Sequence, residues 1–380
     1  MKYDAVVVGT GIIGSFTALA LHRRGLRVLV IERSGLAPGT SRSSDGNLLC
    51  SDKPAGPLLE MADASLRLWR EFTVAFGNEC EHDPKGSTVV ACSDDMATNL
   101  ERFVHEHRDA GIRCEFLASG WKTCEPALGP RIKAAARWPD DAQVQPMLAC
   151  YQIARLLRRE GVEHRWYTDV AGFDEHADHV DVTLGSGERL SAGYLCLCTG
   201  VWTNELLEPG GLSVPVRPRK GHICVLERSD VTVNSKIADY SYNETVDFPS
   251  ERDGDVQTAA VIEATRSGTI LCGSSREFAG FDKTVDTAVM RRILADCVAI
   301  VPALAELRVL RGYTGLRPYS PDGLPLIGPV SPQERILVAT GHEGAGHGLA
   351  PISAELVANR VCGEDPAVPF TDLLHPARFN

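Results

Sequence analysis

Apolar and polar positions in the first 33 residues follow one repeating plan. Residues 4–8 form an apolar run that leads into a glycine turn, and residues 27–31 form a second apolar run. Between them, apolar side chains recur at helical spacing until Gly25, a typical helix stop. Continuous apolar runs are typical of parallel strands that are covered on both faces. The pattern predicts a strand, a helix and a second strand, which together form a βαβ unit.

The glycine turn of this unit predicts a dinucleotide site. Gly9 permits the tight turn, Gly11 lets the backbone approach a pyrophosphate, and Gly14 lets the helix pack close to the strand. The diphosphate would lie at the helix N-terminus, where N–H groups and the helix dipole favour negative charge. Glu32, 18 residues after Gly14, would bind a ribose hydroxyl and disfavour the 2′-phosphate of NADP. NAD and FAD both remain at this point.

Periodicity beyond the unit predicts further elements and no internal repeat. Helices are expected at 58–76, 95–110, 147–160, 284–300 and 346–362, and strands at 87–92, 222–226, 269–273 and 336–340. Two strand-rich segments interrupt the domain that begins with the βαβ unit. This order predicts an α/β fold for that domain and an α+β fold for the chain overall. The Rossmann-like domain would comprise 1–84, 138–215 and 312–380, and an antiparallel-sheet substrate domain would comprise 85–137 and 216–311.

Composition excludes several classes of protein. The formal charge of −11 without a basic patch argues against nucleic acid as a partner. No apolar stretch has the length of a membrane span, and the N-terminus does not resemble a signal peptide. We therefore expect a cytoplasmic protein, with peripheral association with the inner face of the membrane as an alternative. The 12 cysteines include no Cys-x-x-Cys pair, so no metal or iron–sulfur ligand set is predicted.

Several motifs in a fixed order carry a family resemblance. They are the glycine turn with Glu32 and Arg33, residues 144–161, residues 195–202, and the C-terminal stretches 315–328 and 340–351. From Tyr3 to about Val361 the chain resembles the D-amino-acid oxidase and glycine/sarcosine oxidase superfamily of flavoproteins. Residues 219–222 and 273–282 resemble one branch, the FAD-bearing β subunits of D-hydroxyproline dehydrogenase, dye-linked proline dehydrogenase and opine oxidase. Gln145 stands where the family usually has an acid.

This resemblance implies FAD in a domain of the glutathione-reductase type. Sarcosine oxidase-like members attach the flavin through a cysteine near 315–317, and because none stands here, FAD is expected to be bound non-covalently. An FMN or iron–sulfur centre would belong only to a partner subunit of a heteromeric complex. The residues expected to bind FAD are Gly9, Gly11, Ile12, Ile13, Gly14, Glu32, Arg33, Thr40, Ser41, Gly46, Asn47, Leu48, Val170, Thr199, Gly200, Trp202, Gly344, Ala345, Gly346, His347, Gly348 and Leu349.

The resemblance also identifies candidates for catalysis. Arg317 would hold the substrate carboxylate, since a guanidinium forms two parallel hydrogen bonds with it. The alternative is a structural arginine paired with an acid such as Asp322. His342 and His347 would contact the flavin or the substrate, or one of them would cap a helix. The glycine-rich loop 341–349 and the following helix would direct positive charge at the reduced flavin.

Other polar residues are weaker candidates. Lys220 would lie near the flavin or solvate a strand edge, and Tyr240, Tyr242 and Glu263 would shape the substrate pocket.

The predicted activity is oxidation of an amino acid at its C–N bond, with hydride transfer to FAD and a small carboxylate-bearing amine as substrate. A secondary amine of the hydroxyproline, proline or opine type is favoured. The alternatives are a stand-alone glycine, sarcosine or D-amino-acid oxidase that produces hydrogen peroxide, an FAD electron-transfer subunit, and an NAD dehydrogenase.

Overall fold

The helices and strands of the chain lie close to their predicted positions. A computed structural model describes residues 2–242 and 255–379. Its helices are α1 (Ile12–Arg23), α2 (Pro57–Phe76), α3 (Asp94–Asp109), α4 (Pro146–Arg159), α5 (Thr203–Leu207), α6 (Thr287–Ile300) and α7 (Gly346–Cys362). Its strands are β1 (Tyr3–Val8), β2 (Val28–Glu32), β3 (Asn47–Leu48), β4 (Ser87–Ala91), β5 (Glu115–Leu117), β6 (Ala134–Trp138), β7 (Ala142–Gln143), β8 (Glu163–Trp166), β9 (Val170–Glu175), β10 (Val180–Leu184), β11 (Arg189–Leu197), β12 (Arg217–Leu226), β13 (Lys236–Asp239), β14 (Gln257–Ala264), β15 (Ile270–Arg276), β16 (Val309–Tyr319), β17 (Leu326–Pro329) and β18 (Ile336–Thr340).

Capping residues decide where two of the predicted helices begin. The side chain of Gln145 accepts a hydrogen bond from Leu148 N (2.6 Å), and Pro146 occupies the first turn of α4. The residue that departs from the family pattern therefore caps a helix. α6 begins three residues later than predicted because Asp286 caps it, accepting a hydrogen bond from Ala288 N (2.7 Å).

The first sheet contains the βαβ unit. Its strands run in the order β17-β18-β11-β1-β2-β8, and the β9–β10 hairpin extends it from β11. β1 lies between β2 and β11 and is parallel to both, as its continuous apolar run predicts. Helices α1, α2, α4 and α7 contribute to one hydrophobic core on this sheet.

The second sheet confirms the predicted antiparallel lobe with one exception. Its order is β16-β12-β15-β14-β13-β4-β6-β5, and β13 is parallel to β4, while its other neighbouring strands pair antiparallel. β4 and β13 come from different insertions, so no hairpin requires them to be antiparallel. β16 continues in this sheet to Tyr319, and the predicted boundary at residue 312 therefore falls inside a strand. The division of the chain into domains stays a prediction.

Helix α6 packs on the face of the second sheet that lies away from the cavity described below. Its Val289, Ile293 and Cys297 pack with residues of that sheet in a hydrophobic core separate from that of the first sheet.

Within the described residues, no helix is both long and apolar enough to cross a bilayer.

Candidate active site

Both sheets contribute to the wall of one cavity of about 490 Å³. This volume lies in the range typical of cofactor and ligand sites. Most of the residues predicted from the sequence meet here: Gly9, Gly11, Ile12, Ile13, Glu32, Arg33, Thr40, Ser41, Asn47, Val170, Thr199, Gly200, Trp202, Arg317, His342, Gly344, Ala345, Gly346, His347 and Gly348.

Four predicted cofactor residues lie outside this wall. A Cβ on Gly14 would lie 2.0 Å from Gly9 O, and one on Gly46 would lie 1.9 Å from Val144 O. Both glycines therefore serve close packing of backbone on backbone. Leu48 and Leu349 are completely buried in the core. The predicted contacts of these four residues with a cofactor stay predictions.

The first turn of α1 has the geometry that a pyrophosphate site requires. Gly9 has a φ of +104°, and a Cβ there would lie 2.6 Å from Cys198 O, so only glycine fits. Ser41 Oγ accepts a hydrogen bond from Ile12 N (3.0 Å) at the N-terminus of the helix. The turn thus brings backbone N–H groups and a hydroxyl to one end of the cavity.

Glu32 ends β2 at the cavity wall. Its Oε2 accepts hydrogen bonds from Thr10 N (3.0 Å) and Thr10 Oγ1 (3.1 Å), and its Oε1 accepts one from Ser34 N (3.0 Å). A carboxylate has about four acceptor positions, so these bonds hold the group and leave capacity for a ribose hydroxyl. Its role as a ribose ligand stays a prediction.

The two loop histidines differ in their partners. His342 Nε2 makes a hydrogen bond with Ser353 Oγ (2.9 Å), whereas His347 Nε2 has no hydrogen-bond partner within the described residues. Burial lowers the pKa of His342 to about 3 and the pKa of His347 to about 4, so both are neutral at pH 7. Trp69 Nε1 donates to the carbonyl oxygen of His347 (2.9 Å) and ties the loop to the core. Neither histidine side chain caps α7.

Arg317 projects from β16 into the cavity. Its Nη1 donates to Ser275 O (2.8 Å), and this is the one hydrogen bond that its guanidinium makes within the described residues. A Cβ on Gly221 would lie 2.3 Å from Arg317 Nη1, so the guanidinium lies directly over this glycine. The suggested partner Asp322 instead binds Arg378, at 2.7 and 2.9 Å. Arg317 therefore does not pair with Asp322, and the acid within ion-pair distance of it among the described residues is Glu343, whose Oε1 lies 4.0 Å from Arg317 Nε.

Glu343 lies among three arginines and was missed as a site residue. Its Oε1 is 3.4 Å from Arg219 Nη1, 3.5 Å from Arg276 Nε and 4.0 Å from Arg317 Nε. Burial disfavours its charge, but the three guanidinium groups outweigh burial and the pKa of the Glu343 carboxyl is lowered. Its place inside the glycine-rich loop 341–349 was the available signal.

A buried ion pair on the cavity wall was also missed by the sequence analysis. Lys53 Nζ lies 2.5 Å from Asp52 Oδ1, and both residues line the cavity. Burial opposes both charges, yet each partner compensates the other, so the pKa of Asp52 is lowered and that of Lys53 is raised. Nothing in the sequence around the pair separates it from an ordinary polar turn.

The structure places the four weaker candidates in different surroundings. Tyr242 lines the cavity, and the guanidinium carbon of Arg276 lies 4.4 Å from the centre of its ring. Lys220 is buried and paired with Asp282 (2.7 Å), on the side of β12 away from the cavity-lining Gly221. Glu263 is buried behind the wall, where burial raises its pKa to about 8. Tyr240 packs against the main core.

Polar atoms without partners mark the cavity as a site for a polar ligand. Asn47 Oδ1, Ser274 Oγ and His347 Nε2 are buried, line the cavity and have no hydrogen-bond partner within the described residues. Buried polar atoms are costly unless they are satisfied, so their concentration here fits a bound dinucleotide with a polar ring at its far end. Together with the glycine turn, these atoms fit FAD.

Comparison with known proteins agrees with this fit. Residues 4–360 match the model of the DAO family, described as FAD-dependent oxidoreductases. The chain belongs to this family. Its predicted cofactor, FAD, and its predicted class, a flavin-dependent oxidoreductase, are thereby confirmed.

Individual relatives are similar over most of their length. Glycine oxidase of Pseudomonas aeruginosa is 30% identical over 376 residues, which cover 97% of each chain. D-amino acid dehydrogenase of Methylobacterium nodulans is 29% identical over 330 residues, 84% of this chain and 73% of that one. The L-proline dehydrogenase structure from P. horikoshii superposes with a TM-score of 0.87 at 22% identity, covering 100% of this chain and 98% of that one, and this likeness shows the fold alone.

Cys198 is the cysteine that lines the cavity within the described residues. Burial raises its pKa to about 12, and its Sγ faces Thr17 Oγ1 at 3.7 Å. A thiol kept protonated in this way is a poor nucleophile, which supports the prediction that FAD is held without a covalent bond.

Proposed function

We propose that this protein oxidises the C–N bond of a small amino acid, giving an imine, and that secondary amine acids of the hydroxyproline, proline or opine type are its preferred substrates. One observation carries the proposal. The guanidinium of Arg317 lies in the wall of the same cavity as the glycine turn at Gly9 and the loop that carries His347. A guanidinium suited to anchor a carboxylate and the residues that fit a flavin thus line one cavity.

Arg317 is suited to orient a substrate. When bound, FAD would accept the hydride that leaves the substrate α-carbon. Nη1 of Arg317 is held by Ser275 O, while Nη2 makes no hydrogen bond within the described residues and is available to a carboxylate. Holding the carboxylate in a fixed orientation favours the reaction by positioning, without a proton transfer from the protein.

The loop at the start of α7 supports the same reaction. Residues 344–348 line the cavity, and a helix of 17 residues begins among them at Gly346, so its positive N-terminal end faces the cavity. A positive end near a group that gains negative charge on reduction stabilises the reduced state. The orphaned Nε2 of His347 is available as a hydrogen-bond partner in the same region.

Two segments support a secondary amine. Arg219 and Gly221 belong to the first segment that resembles the hydroxyproline, proline and opine enzymes, and Ser274 and Arg276 belong to the second. Gly221 and Ser274 line the cavity, and Arg219 and Arg276 lie beside Glu343, which also lines it, so these residues can affect substrate choice. The 30% identity with a glycine oxidase favours the alternative, an oxidase of glycine, sarcosine or D-amino acids that reduces oxygen to hydrogen peroxide.

A substrate panel on the purified, flavin-loaded chain tests the proposal. Flavin bleaching under anaerobic conditions would be followed with both enantiomers of proline and hydroxyproline, with opines, and with glycine, sarcosine and D-alanine. Faster bleaching by the cyclic amines or opines supports the proposal, and faster bleaching by glycine or D-alanine contradicts the preference. Parallel assays with a dye and with oxygen distinguish a dehydrogenase from an oxidase.

Partner subunits and a cytoplasmic location remain predictions from the resemblance and the composition. Turnover by the isolated chain with a dye acceptor would show that no partner is needed for the reductive half of the reaction.

Replacement of Arg317 tests the carboxylate anchor. Arg317→Leu should retain flavin but lose about 10- to 150-fold in kcat/KM, since a hydrogen bond to a charged group contributes about 1.5–3 kcal/mol. Gly221→Ala should raise KM by displacing the same guanidinium. Arg360→Leu removes an exposed arginine paired with Glu334 and should change neither kcat/KM nor KM. Near-normal turnover by Arg317→Leu with full flavin content would refute the assignment.

A further inference from the structure

A cluster of two histidines and an aspartate lies on the β9–β10 hairpin, outside the active site. His176 and His179 flank its two-residue turn, and His176 N donates to His179 O (2.8 Å). Asp181 follows on β10, opposite Asp174. Cross-strand partners share a face of a hairpin, and faces alternate along a strand. The outer face therefore carries both histidines and Asp181, while Val180 faces the core.

The sequence shows this alternation. In the stretch Asp-Glu-His-Ala-Asp-His-Val-Asp over residues 174–181, the ligating residues occupy positions that the hairpin brings to one side. They are close neighbours only because the turn folds His179 back onto His176. The prediction of no metal ligands rested on cysteine spacing and did not consider this stretch.

The distances within the cluster suit a small metal ion. His176 Nε2 lies 3.7 Å from Asp181 Oδ2, and His179 Nε2 lies 3.6 Å from Asp181 Oδ1. The three ligand atoms all lie within 4.8 Å of one another. Zinc binds nitrogen and oxygen at about 2.0–2.2 Å in a tetrahedral arrangement, which places its ligands roughly 3.4 Å apart. The two imidazole rings stack with their centroids 4.4 Å apart and their planes at 22°, so both side chains must turn for the two Nε2 atoms to point at one ion.

A second carboxylate orients one of the histidines. His179 Nδ1 lies 2.7 Å from Asp178 Oδ1, which favours a proton on Nδ1 and leaves Nε2 available as a ligand. Metal-binding histidines commonly donate their other ring N–H to a carboxylate in this way. This contact is independent of the three-residue cluster and indicates an imidazole held ready to coordinate.

Arg189, whose guanidinium lies beside Asp181, has a second carboxylate partner in Asp174. Arg189 Nη2 lies 3.6 Å from Asp181 Oδ2 but only 2.6 Å from Asp174 Oδ2. A cation bound at Asp181 can therefore displace Arg189 towards Asp174 without leaving an unpaired charge.

We propose that His176, His179 and Asp181 form a zinc site with three protein ligands and an open fourth position for water. Two imidazoles and a carboxylate suit Zn²⁺ better than Mg²⁺ or Ca²⁺, which prefer oxygen ligands throughout. The site is remote from the flavin region. The six residues of β9 run from the cavity-lining Val170 to Glu175, just before the hairpin turn, about 20 Å of extended chain.

Zinc binding by the holoenzyme without an affinity tag tests the proposal. Competition with a chromophoric chelator should reveal one equivalent of Zn²⁺ per chain, lost in His179→Ala. Asp178→Ala should weaken binding about 10- to 100-fold, as expected for a carboxylate that orients a ligand. His105→Ala removes an exposed histidine on α3 and should leave binding unchanged.

Flavin content and circular dichroism of each variant show that the protein is folded. The proposal is overturned if the native protein binds no zinc, or if His179→Ala binds it as tightly as His105→Ala. It does not depend on the proposed substrate, since neither outcome requires turnover.

Discussion

The two histidines of the loop at residues 341–349 show how hydrogen-bond partners separate similar residues. Both are buried and neutral at pH 7, and both line the cavity. His342 makes a hydrogen bond with Ser353 on α7, whereas Nε2 of His347 has no partner within the described residues. We infer that His342 positions the loop and that His347 is the one available to the flavin or the substrate.

The reduction potential of bound flavin tests this difference. His347→Ala should lower the two-electron potential by about 30–60 mV, since a hydrogen bond to a charged group contributes about 1.5–3 kcal/mol and 30 mV corresponds to about 1.4 kcal/mol. His347→Gln, which retains a donor, should restore part of the shift. Titration against a reference dye measures the potential. Equal changes in His347→Ala and His342→Ala would contradict the separate roles.

The three arginines around Glu343 differ in their distance from its carboxylate and in their exposure. Three guanidinium groups surround one carboxylate, yet Arg317 is the most distant, at 4.0 Å. Arg219 and Arg276 are almost fully buried, whereas 16% of the Arg317 side chain is exposed. The arginine that is held least by Glu343 is therefore the one open to a substrate carboxylate.

At the scale of elements, the contact between α1 and β1 sets the position of the cofactor. Gly14 on the helix lies against the carbonyl of Gly9 at the end of the strand, with no room for a Cβ. Helix α1 can begin beside the strand only because of this contact. The residue does not line the cavity but determines where the N-terminus of the helix lies.

Gly14→Ala should therefore reduce both flavin retention and stability. Its Cβ would lie 2.0 Å from Gly9 O, so the backbone must move, at a cost of about 1–3 kcal/mol. The flavin-to-protein ratio and the thermal unfolding midpoint measure the two effects. Gly172→Ala on β9 is the matched control, because its Cβ would meet no atom within 4 Å. Full flavin content in Gly14→Ala would show that the contact is not needed.

At the scale of the whole molecule, burial of histidines links folding to pH. Burial is the main reason that the pKa values of His107 and His222 fall to about 4. His107 Nδ1 accepts a hydrogen bond from Trp138 Nε1 (3.0 Å), and its Nε2 lies 2.8 Å from Lys53 O, an arrangement that suits the neutral ring. Protonation would turn the Nδ1 acceptor into a donor facing another donor.

The free energy of unfolding should fall as the pH drops below 6.5. The unfolded chain binds protons near the ordinary histidine pKa of about 6.5, while the folded histidines bind them only near pH 4. Their stabilising contribution is therefore complete above about pH 6.5 and is lost as the pH falls towards 4. At about pH 5 the loss reaches roughly 2 kcal/mol for each such histidine.

Urea unfolding between about pH 5 and 7.5 measures this dependence. His107→Gln removes one titrating group, so its midpoint should change less with pH than that of the native protein. An unfolding midpoint that does not change over this interval would contradict the prediction.

Local sequence patterns determined the elements and one end of the site. Apolar periodicity located α2, α3, α4 and α7 to within one residue at each end, because burial of one helical face depends on spacing along the chain. The start of α6 was less accurate, since a single cap decided it. The segment from Gly9 to Glu32 was predictable because its turn, helix and strand are adjacent in sequence and because local steric contacts require each of its motif glycines.

Tertiary structure decided the rest. Arg317 was identified by its motif, but its lack of a partner at Asp322, its place over Gly221 and the approach of Glu343 depend on strands far apart in sequence. The Asp52–Lys53 pair was missed because its burial on the cavity wall depends on tertiary packing, and the His176–His179–Asp181 cluster was missed because its members meet only when the hairpin folds. A charged residue looks the same in sequence whether it faces water or a buried partner, and only the packing of the two sheets distinguishes these cases.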